Sequence, residues 1–219
     1  MTTEEFFGKI SGIIVTAGIF PYVWRVWRRE ITVNLVSWLI WLIAVFALVA
    51  NYKVSGATEN VWPAYFSCFN VTLIVLIALF RGKRHPLHWY DWVCFVLGII
   101  SIAVWVVLTI PQLLKFIESH VGYLGTKKEI ATYALCIGIL ADAFAAVPTF
   151  LFLLKEPWED RPFAWLTYSF GYSLSFFAIT EHTFANYVLP VYMTGMAAVI
   201  CYPLIKYRIQ QRIPIKQWI

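Results

Sequence analysis

The sequence predicts an all-α integral membrane protein with seven transmembrane helices, and three observations carry that prediction. Of the 219 residues, 61% are hydrophobic and 13% charged, whereas a soluble domain carries about 45–50% apolar and about 25% charged residues. Mean hydropathy is +0.72, so there is too little polar surface to cover a water-soluble particle. Apolar runs near the roughly 20 residues that a helix needs to cross hydrocarbon recur along the whole chain, without the period-two alternation of an outer-membrane barrel strand. Basic residues gather in alternate connections, as they do between membrane helices.

The runs are 8–28, 32–53, 61–81, 88–110, 130–154, 161–181 and 184–206. The first follows an acidic start, MTTEEFFGKI, which lacks the basic region and cleavage site of a removable signal peptide. It holds Pro21 and ends in a basic turn. The second carries Trp38 and Trp41, the third opens on Trp62-Pro63, and the fourth stops before Pro111. Between the fourth and fifth lies the one long connection, 111–129, in which a short interfacial helix is expected at 112–120 before turns at Gly122 and Gly125. The fifth run contains Asp142 and Pro148. The sixth is rich in Ser, Thr and Tyr, and the seventh ends in the basic stretch from Lys206. No connection has room for a catalytic domain.

Alternation of seven helices puts Arg25, Arg28, Arg29, Arg81, Lys83, Arg84, Lys155, Arg161, Lys206, Arg208, Arg212 and Lys216 on one face, which is 12 of the 17 basic residues. Positive residues concentrate on the cytoplasmic side, so the N-terminus is expected outside and the C-terminus inside. The net charge of +5 is thus an orientation signal and not a nucleic-acid site. The expected surroundings are a lipid bilayer, taken to be a bacterial inner (plasma) membrane. Cys68, Cys94, Cys136 and Cys201 fall in predicted helices with no C-x-x-C pair. His85, His88, His120 and His182 fall at helix ends or in loops. Neither a disulfide framework, a metal site nor a cofactor is expected.

A shift of the chain against itself by 127 residues superposes Pro21 on Pro148, Trp38 on Trp165, Pro63 on Pro190, Tyr65 on Tyr192 and Arg81 on Arg208. These are rare residue types at equivalent points of three helix pairs. They predict two parallel three-helix repeats, residues 1–85 and 130–219, joined by a linker helix and outer loop over 86–129. In two stretches, GIFPYVWRVWRREITVNLVSWLIWLI (18–43) and ADAFAAVPTFLFLLKEPWEDRPFAWL (141–166), a proline low in the first helix precedes a charged turn and an aromatic second helix. This layout resembles the PQ-loop superfamily, which includes the SWEET sugar carriers. Glutamine follows neither proline here, and the actual Pro111-Gln112 pair closes the fourth helix instead. The bacterial nicotinamide-riboside carriers share the same layout and are an alternative home.

The resemblance implies a membrane transporter that moves a small polar solute (sugar, nucleoside, vitamin or amino acid) by alternating access. It also implies an asparagine in the third helix of a triplet and an aromatic in the second as solute ligands, roles that Asn70 and Trp165 match by helix. An enzyme is not expected, because an intramembrane site needs several catalytic groups at one depth and Asp142 stands alone at mid-membrane, with Asp91 at a helix entrance. From the residues themselves, Ser67, Asn70, Trp41, Trp165, Tyr168, Tyr192 and Thr194 are the candidate substrate-binding groups, since aromatic walls with a few hydrogen-bonding groups suit such solutes. For Trp38, Trp41 and Trp165, anchoring at the membrane interface is the competing reading. Pro21 and Pro148 free the carbonyls of Ala17 and Phe144 and are the candidate hinges of an inner gate, or static kinks. Asp142 lies near the bilayer centre, where a carboxylate costs about 2.5–3.5 kcal/mol. It is the candidate proton-coupling residue, with binding of a polar or cationic substrate group and interhelical hydrogen bonding as its other two readings. Val15 is its repeat equivalent, so its role is carried by one half alone. A retinal protein does not fit, because the last helix has no lysine at mid-depth. A SWEET-like receptor or scaffold without transport is the alternative function, and a homo-oligomer stays open.

Overall fold

Residues 1–84 and 88–219 are described by a computed structural model. The boundary expected at residues 85 and 86, and His85, lie outside them. The described residues form an all-α protein: α1 (Thr3–Ala17), α2 (Ile19–Trp27), α3 (Leu35–Val54), α4 (Trp62–Arg81), α5 (Trp89–Thr109), α6 (Pro111–Val121), α7 (Lys127–Lys155), α8 (Pro162–Leu174) and α9 (Phe184–Gln210). A two-residue parallel pairing, β1 (Thr32–Val33) with β2 (Lys83–Arg84), ties two connections together.

Helix starts follow local chemistry. Thr2 accepts from the Glu5 N–H (3.2 Å) and Asn34 from the Ser37 N–H (3.2 Å), while Thr126 and Glu129 form a reciprocal capping box. Prolines at the first turns of α4, α6 and α8 occupy positions whose N–H has no helical partner in any case. The short helix expected at 112–120 forms as α6, and the turns after it use left-handed Gly122 (φ 100°) and Gly125 (φ 122°).

Six stretches are long and apolar enough to cross a membrane: Thr3–Trp27, Leu35–Val54, Glu59–Arg81, Trp89–Thr109, Lys127–Lys155 and Phe184–Gln210. The chain is a multi-span integral membrane protein. The seventh expected helix, 161–181, does not reach that length. It forms the 13-residue α8 and tightens into a 3₁₀ turn over Ser175–Ala178. The tighter turn rises more per residue, so the 17 residues still extend about 28 Å. At one end of the pair Phe163 N–H donates to the Trp218 carbonyl; at the other, Thr180 hydrogen-bonds Thr58.

α4 touches both α1 and α3, and α9 touches both α7 and α8. Across the middle, α1 packs on α8 and α3 on α7; α5 lies outside, against α7 and α3. Burial grades accordingly, from 61% of the α3 span to 17% of the α5 span. The buried residues of α5 are Asp91, Cys94, Gly98 and Ser101, spaced three and four apart. Small groups on that stripe let the helix approach closely, and the rest of it is apolar surface of the kind lipid covers. A similar small-residue face on α1, with Gly8, Ser11 and Gly12, lets α4 and α8 come close. At Gly171 an added Cβ would stand 2.8 Å from the Ser11 carbonyl oxygen.

The connections after α2, α4 and α7 and the C-terminal segment share one end of the bundle. Thr32 hydrogen-bonds Glu159, Arg29 Nε donates to the Arg81 carbonyl (3.0 Å), and Arg208 donates to carbonyls at 157 and 160. We call this the basic end. At the opposite end Asn60 donates to Tyr52 Oη (2.5 Å), and Tyr52 donates to the Asn186 carbonyl (2.9 Å). All three side chains are buried, and they close that end of the interior.

Candidate functional site

A narrow cleft lies inside the bundle, lined from α1, α2, α3, α4, α7, α8 and α9. It occupies the junction of the two apolar core clusters, one around Trp38 and Leu204, the other around Val15 and Leu189. α3 presents Trp38, Trp41 and Val45 on one face, the i, i+3, i+7 spacing of a single helical stripe. α8 supplies Trp165 and Tyr168, α4 supplies Asn70, α7 supplies Asp142, and α9 supplies Met193 and Met196. Among the described residues, Lys, Arg and His are absent from the lining, and Asp142 is its one carboxylate.

The tryptophans form a cluster. Ring centroids are 5.0 Å apart for Trp38 and Trp41, 6.0 Å for Trp41 and Trp165, and 6.4 Å for Trp38 and Trp165; Tyr22 lies 5.8 Å from Trp38. Trp38, Trp41 and Trp165 are 6%, 4% and 7% exposed, which rules out anchoring at the membrane surface for these three. Trp24, Trp27, Trp89 and Trp158 are 59%, 44%, 76% and 49% exposed, as anchors would be.

Asp142 is buried. Tyr192 Oη donates to its Oδ2 (2.7 Å), and Trp41 Nε1 donates to its backbone carbonyl (3.1 Å). A buried carboxyl group meets the donors it needs in this way. Asn70 Nδ2 donates to the Val15 carbonyl (3.2 Å), one of the last four carbonyls of α1, which have no helical donor. The Asn70 Oδ1 is buried without a hydrogen bond.

Of the sequence-predicted residues, Trp41, Asn70, Asp142, Trp165 and Tyr168 come together on the cleft wall. Ser67 and Tyr192 stand one step behind it. Ser67 accepts from Tyr168 Oη (2.7 Å), lies 3.1 Å from Tyr172 Oη and donates to the Pro63 carbonyl (2.8 Å). Tyr192 acts through Asp142. Thr194 is not brought to the cleft: α9 turns Met193 and Met196 inward, and the Thr194 carbonyl accepts from Ser169 of α8 (3.0 Å). The two prolines are not alike. The first helix breaks at Gly18, three residues before Pro21, so Pro21 falls in the first turn of α2 and displaces no interior hydrogen bond. Pro148 sits inside an α7 that runs unbroken for 29 residues. The residue at the break has to be glycine, since a Cβ there would stand 2.1 Å from Thr167 Oγ1 and 2.8 Å from Ala164 Cα.

Sequence reasoning missed three groups. Tyr22 and the two methionines line the cleft with no local feature in the sequence to mark them, and Asp160 falls in a charged connection where a buried acid is not expected. Asp160 is 2% exposed, accepts from Trp165 Nε1 at Oδ2 (3.0 Å) and from the Arg161 N–H at Oδ1 (2.6 Å). Burial pushes its pKa up to about 6, against the pull of those two hydrogen bonds and the nearby Arg208 and Arg161 charges. Arg208, expected among the surface charges of the basic face, is 1% exposed. Its guanidinium donates to the carbonyls of Pro157 (3.2 Å), Leu204 (3.2 Å) and Asp160 (2.5 Å). The pair fastens the basic-end loop beneath Trp165.

Among the described residues no group of three His, Cys, Asp or Glu side chains could hold a metal ion, and all four cysteines are free thiols. No family model matches the chain, and no curated protein or solved structure matches it.

Proposed function

We propose that the protein is a membrane transporter that moves a small polar solute by alternating access, with the cleft as the solute site and Asp142 as the proton-coupling group. The observation that carries the reading is the cleft itself, an aromatic-walled space inside a membrane bundle with one buried carboxylate on its wall. Intramembrane acids are costly, and they mark solute and proton pathways.

The two-repeat, PQ-loop-like layout belongs to the same proposal, with seven crossings, N-terminus outside and C-terminus inside. It is supported by the neighbour pattern, in which the third helix of each triplet lies between the other two and the first helix of one packs on the second of the other. Residues 127 apart also meet each other, as Trp38 does Trp165 and Thr32 does Glu159. Equivalent residues touch in this way only near a pseudo-two-fold axis. The axis would run through the tryptophan cluster, where a solute site shared by two repeats is expected.

A receptor or scaffold is the second reading, favoured by the number of interior hydroxyls already bonded within the chain, such as Ser67, Tyr52 and Tyr172. Reconstitution separates the two. Protein in liposomes should take up solute, and Asp142→Asn should flatten the pH dependence of uptake; unchanged pH dependence in that variant removes the coupling role. Absence of uptake for every sugar, nucleoside, amino acid and amine tried favours the scaffold.

A further inference from the structure

Among the described residues, most side-chain donors on the cleft wall are committed within the chain, and two acceptors are open. Trp41 Nε1 donates to the Asp142 carbonyl, Trp165 Nε1 to Asp160, Tyr168 Oη to Ser67, Tyr192 Oη to Asp142 Oδ2 and Asn70 Nδ2 to Val15. Two acceptors remain. Asn70 Oδ1 is buried with no partner among the described residues, and of the two Asp142 carboxyl oxygens Oδ2 is the one that accepts from Tyr192. A buried acceptor left unpaired costs about 1–3 kcal/mol, so a ligand that supplies donors is favoured there.

This asymmetry sorts solutes by chemistry. An anion needs donors or positive charge, and among the described residues the lining contains no Lys, Arg or His. A neutral polyol offers acceptors as well as donors, and most of the wall's donors are taken. A quaternary ammonium ion has charge but no N–H for Asn70. A protonated amine has both the charge and the N–H groups, and indole and phenol faces attract cations in addition.

We propose that the solute is a small protonated amine, its N–H groups bound by Asn70 Oδ1 and Asp142 and its carbon body against Trp38, Trp41 and Trp165. The inference rests on the cleft being the solute site of the proposed transporter, and binding and flux test the two separately.

Protein in lipid nanodiscs is titrated with a series of amines from methylamine to 2-phenylethylamine, with the matching neutral alcohols, and with phenylacetate. Tryptophan fluorescence reads the binding, because three indoles line the site. Saturable change is expected with at least one amine and not with its alcohol. Asp142→Asn should weaken that binding about tenfold or more, Asn70→Leu should weaken it less, and Asn70→Asp should tighten it. Should Asp142→Asn not fold, the opposite signs of the two Asn70 variants decide the matter. The proposal is overturned if alcohol and amine bind alike, if Asp142→Asn leaves amine binding unchanged, or if no amine saturates up to about 10 mM. Asp142-dependent amine binding without flux into proteoliposomes keeps the amine site and removes transport. Flux of a sugar or nucleoside that amines do not inhibit keeps transport and removes the amine.

Discussion

Replacing Gly171 with alanine should loosen the seam between α1 and α8. The new Cβ would stand 2.5 Å from Val15 Cγ2, 2.8 Å from the Ser11 carbonyl oxygen and 2.9 Å from the Val15 nitrogen, where ordinary contact begins at 3.4 Å. Val15 Cγ2 can turn away, but the other two atoms are backbone. The helices must therefore part by roughly 0.5–1 Å, and overpacking of this kind costs about 1–3 kcal/mol. Alanine regains about 1 kcal/mol of helix propensity, leaving a net loss of about 0–2 kcal/mol. Gly195 on α9 is the control, because a Cβ there meets nothing within 4 Å, so Gly195→Ala keeps only the propensity gain. Unfolding in mixed micelles titrated with sodium dodecyl sulfate, followed by circular dichroism, should shift the midpoint down for Gly171→Ala and leave it level or raise it for Gly195→Ala. Equal midpoints for the two variants would refute the close-approach argument.

Asp160 carries a pH signature. A carboxyl group whose folded pKa is raised binds its proton more tightly when folded, so its contribution to stability is greatest below its ordinary value of 3.8 and falls as pH rises to about 6, then stays flat. The loss is on the order of 3 kcal/mol, and Asp160→Asn should remove that slope while keeping an acceptor for Trp165; a variant with the wild-type slope between pH 4 and 6 contradicts this. Arg208→Leu strips donors from two buried carbonyls and one part-buried one and should lower stability by about 2–4 kcal/mol, whereas exposed Arg212→Leu should change it by less than about 0.5 kcal/mol, both read by the same detergent titration. Trp41→Phe keeps an aromatic wall but loses the hydrogen bond to the Asp142 carbonyl, which should cost about 0.5–1.5 kcal/mol; an unchanged midpoint would mean the bond contributes nothing net.

The membrane class and most helix boundaries are local properties, and the sequence displays them through apolar length, caps and first-turn prolines. Tertiary facts were less legible. Trp38, Trp41 and Trp165 have the same sequence signature whether they face lipid headgroups or a cleft, and only the packing of α3 against α7 and α8 against α9 decides between them. Asp142 was legible because a lone acid in an apolar run is conspicuous, but its partner Tyr192 is 50 residues away and nothing local announces it. In the first helix a kink is expected at Pro21 because proline frees a carbonyl, and the structure has its break at Gly18 instead. That position is glycine because α8 approaches it too closely for any side chain. Arg208 was counted with the surface charges, since neither composition nor spacing reveals carbonyls folding over a guanidinium.

The break at Gly18 would also set the proportions of a lever, were α2 to swing about it. α2 is nine residues, about 13 Å of helix, and begins where α1 stops. Tyr22 reaches the cleft from about 6 Å along that arm, while Arg25, paired with Glu30, and the exposed Arg28 ride near its tip. A swing of about 20° would move Tyr22 by about 2 Å and the tip by about 5 Å. A small rearrangement around whatever fills the cleft would thereby be enlarged more than twofold at the basic end. The helix that carries Asp142, α7, has no such break and runs on for 29 residues.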